Sequence, residues 1–326
     1  MMKLKIRFLL VFIVILSSCG LNSSVSKYPY ESKAQKKNLE KLFRNILFWE
    51  GGAYTLLGSK PITSFEVVDS RNIKEEIFNH FPSGLDIKIY INKDDERDLK
   101  FYHSLNSKNK QKVVLLSDND YIFDIMPLWK DWEDLDRKVK KSKRYLLFKT
   151  EFSSDEEEGY YITLVNVLQT ACLLKKHYEL FKPLLGDNFD PIEETLNIID
   201  PKSKLWKCLH PKNLQNHHQQ VGLLLGFGYE NSQIFHWKHS SLSRQDFFKE
   251  IQGISNSMHD EVCQKSHPFS SNNFPLPMFV TFLPNDPTWT KYSQEHEQII
   301  AYYKDKDFLD ATLDLLVEFS STALSL

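Results

Sequence analysis

The spacing of apolar residues changes character along the chain. Residues 8–16 form an unbroken apolar run behind Lys3, Lys5 and Arg7, and residues 20–37 are polar without sustained periodicity. From Leu39 the spacing becomes helical: Leu39, Leu42, Phe43, Ile46 and Leu47 share one face, and Gly51-Gly52 ends the run. Two β-prone runs flank Gly58-Ser59-Lys60-Pro61, which predicts a hairpin around a tight turn. A helix is predicted over 72–81, with Ile73, Ile77, Phe78 and Phe81 on one face and Asp69 or Ser70 as N-cap. Over 85–92, Leu85, Ile87, Ile89 and Ile91 alternate with polar residues, the pattern of a half-buried strand. A weaker helical pattern covers 96–105, and QKVVLL, RYLLFKTEF and YYITLV add strands.

Beyond Asn166 the pattern is helical. VLQTACLLKKHYELFKPLLG keeps apolar residues at helical spacing until Gly186 stops it, and Asp190-Pro191-Ile192-Glu193 carries an N-cap acid, Pro at the first turn and Glu three residues on. Short helices are predicted over 204–209, 215–225, 233–237 and 245–255, and longer ones over 288–304 and 308–319. MFVTFLP reads as a late strand returning to the early sheet. Early strands, late helices and one returning strand predict an α+β fold, with a mixed sheet from the N-terminal half and a mainly helical C-terminal half. The expected organisation is a signal segment at 1–18, a flexible tether at 19–37 and one domain at 38–326, with a candidate subdivision near 157.

The N-terminal pattern has its own meaning. A basic start, a short apolar run and small residues describe a secretory signal peptide. Nine apolar residues rise only about 14 Å as a helix, roughly half a bilayer's hydrocarbon core. Leu16-Ser17-Ser18-Cys19 resembles a bacterial lipobox. That resemblance implies cleavage before Cys19, acylation of Cys19 and attachment to a membrane of the bacterial cell envelope. Gly20, where an Asp commonly retains lipoproteins in the inner membrane, implies the outer membrane if the bacterium has one. GGAYTLLGSKPITSFEV and VGLLLGFGYENSQIF resemble segments of uncharacterised bacterial lipoproteins, a likeness that brings no activity with it.

Composition changes this picture little. With 41% hydrophobic and 26% charged residues over 326 positions, the chain is ordinary globular material. Losing Lys3, Lys5 and Arg7 with the signal takes the net charge from -2 to -5, which gives no electrostatic footprint for nucleic acid. Besides Cys19 there are Cys172, Cys208 and Cys263, enough for one disulfide at most; Cys208–Cys263 is the candidate pair, and Cys172 fits a buried thiol on an apolar helix. The charge runs at 137–144 and 155–158 fit a solvated helix end and loop better than mutual docking.

The densest chemistry lies at 206–239, which holds Cys208, His210, His217, His218, His236 and His239. His236 and His239 are three apart, a helical spacing that lets two imidazoles meet one metal. Neither HExxH nor paired CxxC is present, so the bland alternative is a set of polar histidines around an apolar helix. Gly222, Gly226 and Gly228 lack the strand-first Rossmann context and fit helix packing or capping, and LGSKP lacks Walker spacing, which makes Lys60 a turn lysine. No GxSxG occurs, and Cys263 with His259 or His267 lacks the surroundings of a papain-type nucleophile. Asp118, Asp120 and Asp124 miss the glycine of an EF-hand loop, while Trp129 and Trp132 fit aromatic stapling of a polar helix or, alternatively, sugar stacking.

The sequence therefore points to a membrane-anchored envelope lipoprotein acting as a binding or structural module for an envelope protein or ligand, with no cofactor predicted and no catalytic residue assigned. The alternatives are an envelope hydrolase with His217, His218, His236 and His239 as metal ligands, and a carrier of lipid or another apolar ligand.

Overall fold

A computed structural model of the chain describes residues 27–68, 89–92, 96–111, 113–116, 125–153, 158–211, 217–239, 274–277, 279–282 and 285–317. Cys19, Cys263 and the segments predicted helical over 72–81 and 245–255 lie outside the described residues.

Helix α1 (Lys33–Arg44) starts where Ser32 Oγ accepts a hydrogen bond from the Gln35 amide at 3.0 Å, and it buries Leu39, Leu42 and Phe43 at the expected spacing. A π-helical turn (Asn45–Trp49) follows, and its wider winding brings Ile46, Leu47 and Phe48 inward in succession. Of the range 19–37 expected to be a tether, the part that is described does not behave as one. Tyr28 is buried, Tyr30 Oη donates to Asp310 at 2.8 Å and Lys36 pairs with Asp307 at 3.0 Å, so 27–37 belong to the fold.

The hairpin expected around residues 58–61 is also absent: the first β-prone run contains a helical turn, α2 (Ala53–Leu56). Burial of Ala53, Tyr54, Thr55 and Leu56 outweighs local strand preference, and the Tyr54 carbonyl accepts from both Gly58 and Lys60 amides. Strand β1 (Ile62–Val68) takes the second run. Strand β2 (Ile89–Asn92), helices α3 (Glu96–Ser104) and α4 (Ser107–Lys110), strand β3 (Val113–Leu116), helix α5 (Ile125–Asp136) and strands β4 (Tyr145–Ser153) and β5 (Glu158–Asn166) complete the first half.

The fold is α+β, with the strands in the N-terminal half and helices throughout. The strands form two sheets. β2 and β3 are a parallel pair, while β1, β5 and β4 form an antiparallel sheet with β5 in the centre. Among its described residues the late apolar segment contributes no named strand to either sheet, and the Phe282 amide donates to Asn231 Oδ1 at 3.1 Å. Residue 157 falls between β4 and β5, which pair from Ser153↔Glu158 to Tyr145↔Asn166, so a boundary there would cut a hairpin.

Both faces of the antiparallel sheet are covered. One carries Ile162, Leu164, Val67 and Tyr145 into a core with α1, α5 and two C-terminal helices, α12 (Pro287–Tyr303) and α13 (Phe308–Leu316). The other carries Ile62, Val165, Leu146 and Phe148 against α6 (Val167–Lys176), α7 (Tyr178–Leu185), α9 (Lys204–Leu209) and α10 (His218–Leu224). Short α8 (Pro191–Leu196) begins as its sequence predicts, with Asp190 Oδ1 accepting from Ile192 and Glu193 amides, and α11 (Tyr229–His239) packs on α10. Trp129 and Trp132 of α5 belong to the first core, Trp132 meeting Phe43 edge-on at 5.2 Å, which removes the sugar-stacking reading. Residues 137, 138, 140 and 141 of the basic run are solvent-exposed, as expected.

Asn166 ties the sheet to its surroundings. It is 1% exposed; its Nδ2 donates to the Thr55 carbonyl at 3.0 Å, its Oδ1 accepts from the Gln169 amide that opens α6, and its own amide donates to Pro61 O. Asn166→Ala removes the cap and orphans the Thr55 carbonyl, an expected loss of about 2–3 kcal/mol in denaturant unfolding. Asn166→Asp keeps the cap oxygen but loses the Nδ2 donor and should also destabilise the protein; wild-type stability in both variants would refute this role.

Candidate functional site

A groove of about 430 Å³ lies between α6, the turn ahead of α11 and the start of α12. Gln169, Cys172, Leu173 and Lys176 recur at helical spacing, so one face of α6 forms a wall. The second wall is Gly226 and Gly228 of one turn with Tyr229 and Glu230, and the third is Thr288, Lys291 and Tyr292. Gly226 and Gly228 both have φ +83°, and a Cβ on them would come within 2.3 Å of Tyr292 Oη and 2.1 Å of Thr288 Oγ1. Glycine thus lets the turn lie directly on α12. Tyr292 Oη donates to the Gly226 carbonyl at 2.7 Å.

Polar bonds hold the rim. Asn231, 2% exposed, donates through Nδ2 to Phe227 O at 3.0 Å and to Asp286 Oδ2 at 2.7 Å. Asp286 also caps α12, accepting from the Trp289 amide at 2.8 Å. His177, between α6 and α7, stacks flat on Tyr229 at 5.3 Å, and burial, then nearby Lys176, lowers its pKa. Lys176, Lys291 and Glu230 form no ion pair with one another or with other described residues, leaving the rim with two cations and one anion. Cys172 is an exposed thiol on this wall; the helix buries Val167, Ala171 and Leu174 instead. The groove can therefore offer charge, hydrogen bonds and an aromatic surface to a small polar molecule.

Beneath it, Lys60 is buried at 6% exposure and donates to the Glu50 carbonyl at 3.1 Å, so it is no surface turn lysine. Burial pushes its pKa down to about 8 against the opposing pull of Glu50, whose own pKa burial raises.

The sequence-predicted histidines are partly gathered. His217 precedes α10, His218 begins it, and His236 and His239 lie on α11. The His218 ring is 6.4 Å from His236 and 6.0 Å from His239, centroid to centroid. Burial lowers the pKa values of His218, His236 and His239, with neighbouring imidazoles adding to the first two. Among the described residues, no group of three His, Cys, Asp or Glu stands placed to hold a metal ion. Cys208 is a free buried thiol, its pKa pushed up to about 12 by burial, and Gly222 lies inside α10 against Ser232.

Sequence reasoning missed one contact. Ser64 Oγ lies 2.8 Å from Thr163 Oγ1 and 3.3 Å from His210 Nε2, on the sheet face toward α9, and residues 64 and 210 are too far apart in the chain for any local pattern to join them. The His210 ring packs at 3.9 Å from Tyr161 and 4.2 Å from Trp206. No carboxylate orients its other nitrogen among the described residues, so the pair lacks the third member of a hydrolytic triad. Burial depresses the His210 pKa from the ordinary 6.5 to about 4.

The unfolded chain therefore binds a proton at His210 that the folded chain refuses between those values. Its contribution is free of penalty above pH 6.5, worsens as pH falls and levels off below about 4. Denaturant midpoints measured across this interval should fall with acid in the wild type and fall less steeply in His210→Phe; equal slopes would contradict the assignment. Compared with known protein families, curated proteins and solved structures, the chain matches none.

Proposed function

We propose that this chain is a lipid-anchored binding module of the bacterial cell envelope, in which Cys19 holds the membrane and the α6–α11–α12 groove holds a small polar ligand. The groove carries this reading: it is open, its lysines have no ion-pair partners among the described residues, and its rim is pinned by buried polar bonds. A preformed concave site of this kind is what a binding module needs, because little ordering remains to be paid for when ligand arrives. Lys176 and Lys291 outnumber Glu230, which favours ligands bearing a carboxylate or another anionic group.

The membrane side of the proposal rests on the N-terminal pattern and on where the fold begins. Residues 19–26, eight in all, span at most about 29 Å when fully extended, so a domain that begins at Lys27 rides close to the bilayer. The described residues contain no helix long and apolar enough to cross a membrane, and a lipid anchor requires none.

Two experiments bear on the two halves separately. Native mass spectrometry of full-length protein released from bacterial membranes in detergent should show a small-molecule adduct beyond the acyl chains, at least tenfold depleted in Lys176→Glu/Lys291→Glu; a bare polypeptide-plus-lipid mass in the wild type would sink the ligand reading. Cys19→Ala should abolish metabolic labelling by a fatty-acid probe and leave the signal attached, whereas persistent labelling would overturn the anchor.

A further inference from the structure

The antiparallel sheet ends at β4, which pairs with β5 on one side and, among the described residues, with no strand on the other. The ladder fixes which backbone groups are left over. The Val167 amide donates to Arg144 O at 3.0 Å, so in the register Tyr145↔Asn166 the even-numbered residues of β4 turn their amides and carbonyls toward β5. Those of Tyr145, Leu147, Lys149 and Glu151 point outward, and among the described residues they meet no backbone partner. An unpaired edge of nine residues is a template for another strand.

Its side chains suit a second copy of itself. Lys149 and Glu151 stand two apart on one face, and neither forms an ion pair among the described residues. Lys149 Nζ rests 4.6 Å from the Tyr160 ring, and Glu151 is exposed. Between them Thr150 is 7% exposed, yet its Oγ1 has no hydrogen-bond partner, whereas buried hydroxyls are ordinarily satisfied. On the Thr150 face Phe148 and Phe152 are half-buried, and the 3-10 turn (Asn197–Ile199) that touches β4 leaves Ile199 53% exposed.

We propose that β4 is a self-association edge, along which two copies of this chain join antiparallel about a twofold axis at Thr150. Two three-stranded sheets then become one continuous sheet. The outward groups lie on odd-numbered residues, so the new ladder must bond odd to odd. An axis at Lys149 would set lysine against lysine, and an axis at Glu151 would set glutamate against glutamate. The axis at Thr150 sets Lys149 of each copy opposite Glu151 of the other, twice over. It also brings the two Thr150 side chains together at a non-hydrogen-bonded pair, with Cα atoms about 4.5 Å apart, where one orphaned hydroxyl can satisfy the other. Phe148 then meets Phe152 of the other copy. Such a twofold contact closes on itself, whereas joining β4 to β1, the opposite edge, would propagate into a filament.

The test is sedimentation equilibrium of the full chain in mild detergent, run on the wild type and a charge series. The wild type should form a reversible dimer with a dissociation constant of about 10 µM or lower. Lys149→Glu and Glu151→Lys each set like charges opposite one another in both pairs, and each should weaken the dimer by about tenfold or more. The double exchange Lys149→Glu/Glu151→Lys restores the opposition and should return the constant to within about threefold of wild type, a recovery that general damage to the fold would not give. On oxidation Thr150→Cys should form a disulfide-linked dimer well beyond any formed by wild type, while Leu147→Cys, opposite Ser153, should not. If Thr150→Cys fails to fold, the charge series still decides. A monomer up to about 200 µM, or a dimer indifferent to the charge series, would overturn the interface.

Discussion

β5 is hydrogen-bonded along both edges and buried on both faces, and the positions of the other layers follow from it. Alternate residues of this one strand feed two cores: Ile162 and Leu164 turn toward α1, α5, α12 and α13, while Tyr161 and Val165 turn toward α6, α7 and α9. A strand in that position tolerates little slippage, because a one-residue shift would exchange the two sets. Asn166 completes the constraint at the strand's end, where one buried amide side chain fixes the direction in which α6 departs.

The groove is a consequence of that departure. α6 is aimed by Asn166, the 226–228 turn is pressed against α12 by two glycines, and α12 is joined to α11 through Asn231 and Asp286. Apolar packing stabilises the layers, whereas directional bonds hold the rim, so the cavity's shape depends on a few buried amides and hydroxyls. Lys60 sits just behind, its burial tolerated because the Glu50 carbonyl and the negative potential of Glu50 meet its ammonium.

What could be read from the chain was local. Leu39, Leu42 and Phe43 announced α1, Asp190-Pro191 announced α8, and the apolar runs of β4 and β5 announced strands. Those runs are continuous because both faces are covered, so they revealed burial without revealing which layer lay on which side. Ala53–Leu56 looked like a strand because its residues are β-prone, and complete burial against the first core made it helical. Cys172 looked buried because its neighbours are apolar, yet α6 lies at the margin of its layer and turns Leu168 and Cys172 outward. The groove and the Ser64–His210 contact join elements remote in sequence, which periodicity cannot pair. The histidine cluster was visible as composition; that its rings meet across two helices was not.

The first described residues do more than connect. Lys27 pairs with Asp314, Tyr28 Oη also donates to Asp314, and Tyr30 Oη donates to Asp310, so the chain is latched to α13 before its first helix begins. Mechanically, tension applied at the N-terminus enters the domain at this latch and is shared among an ion pair and two phenol–carboxylate bonds on the final helix. A pull from that end therefore meets α13 before it reaches β1, the first strand of the antiparallel sheet in chain order.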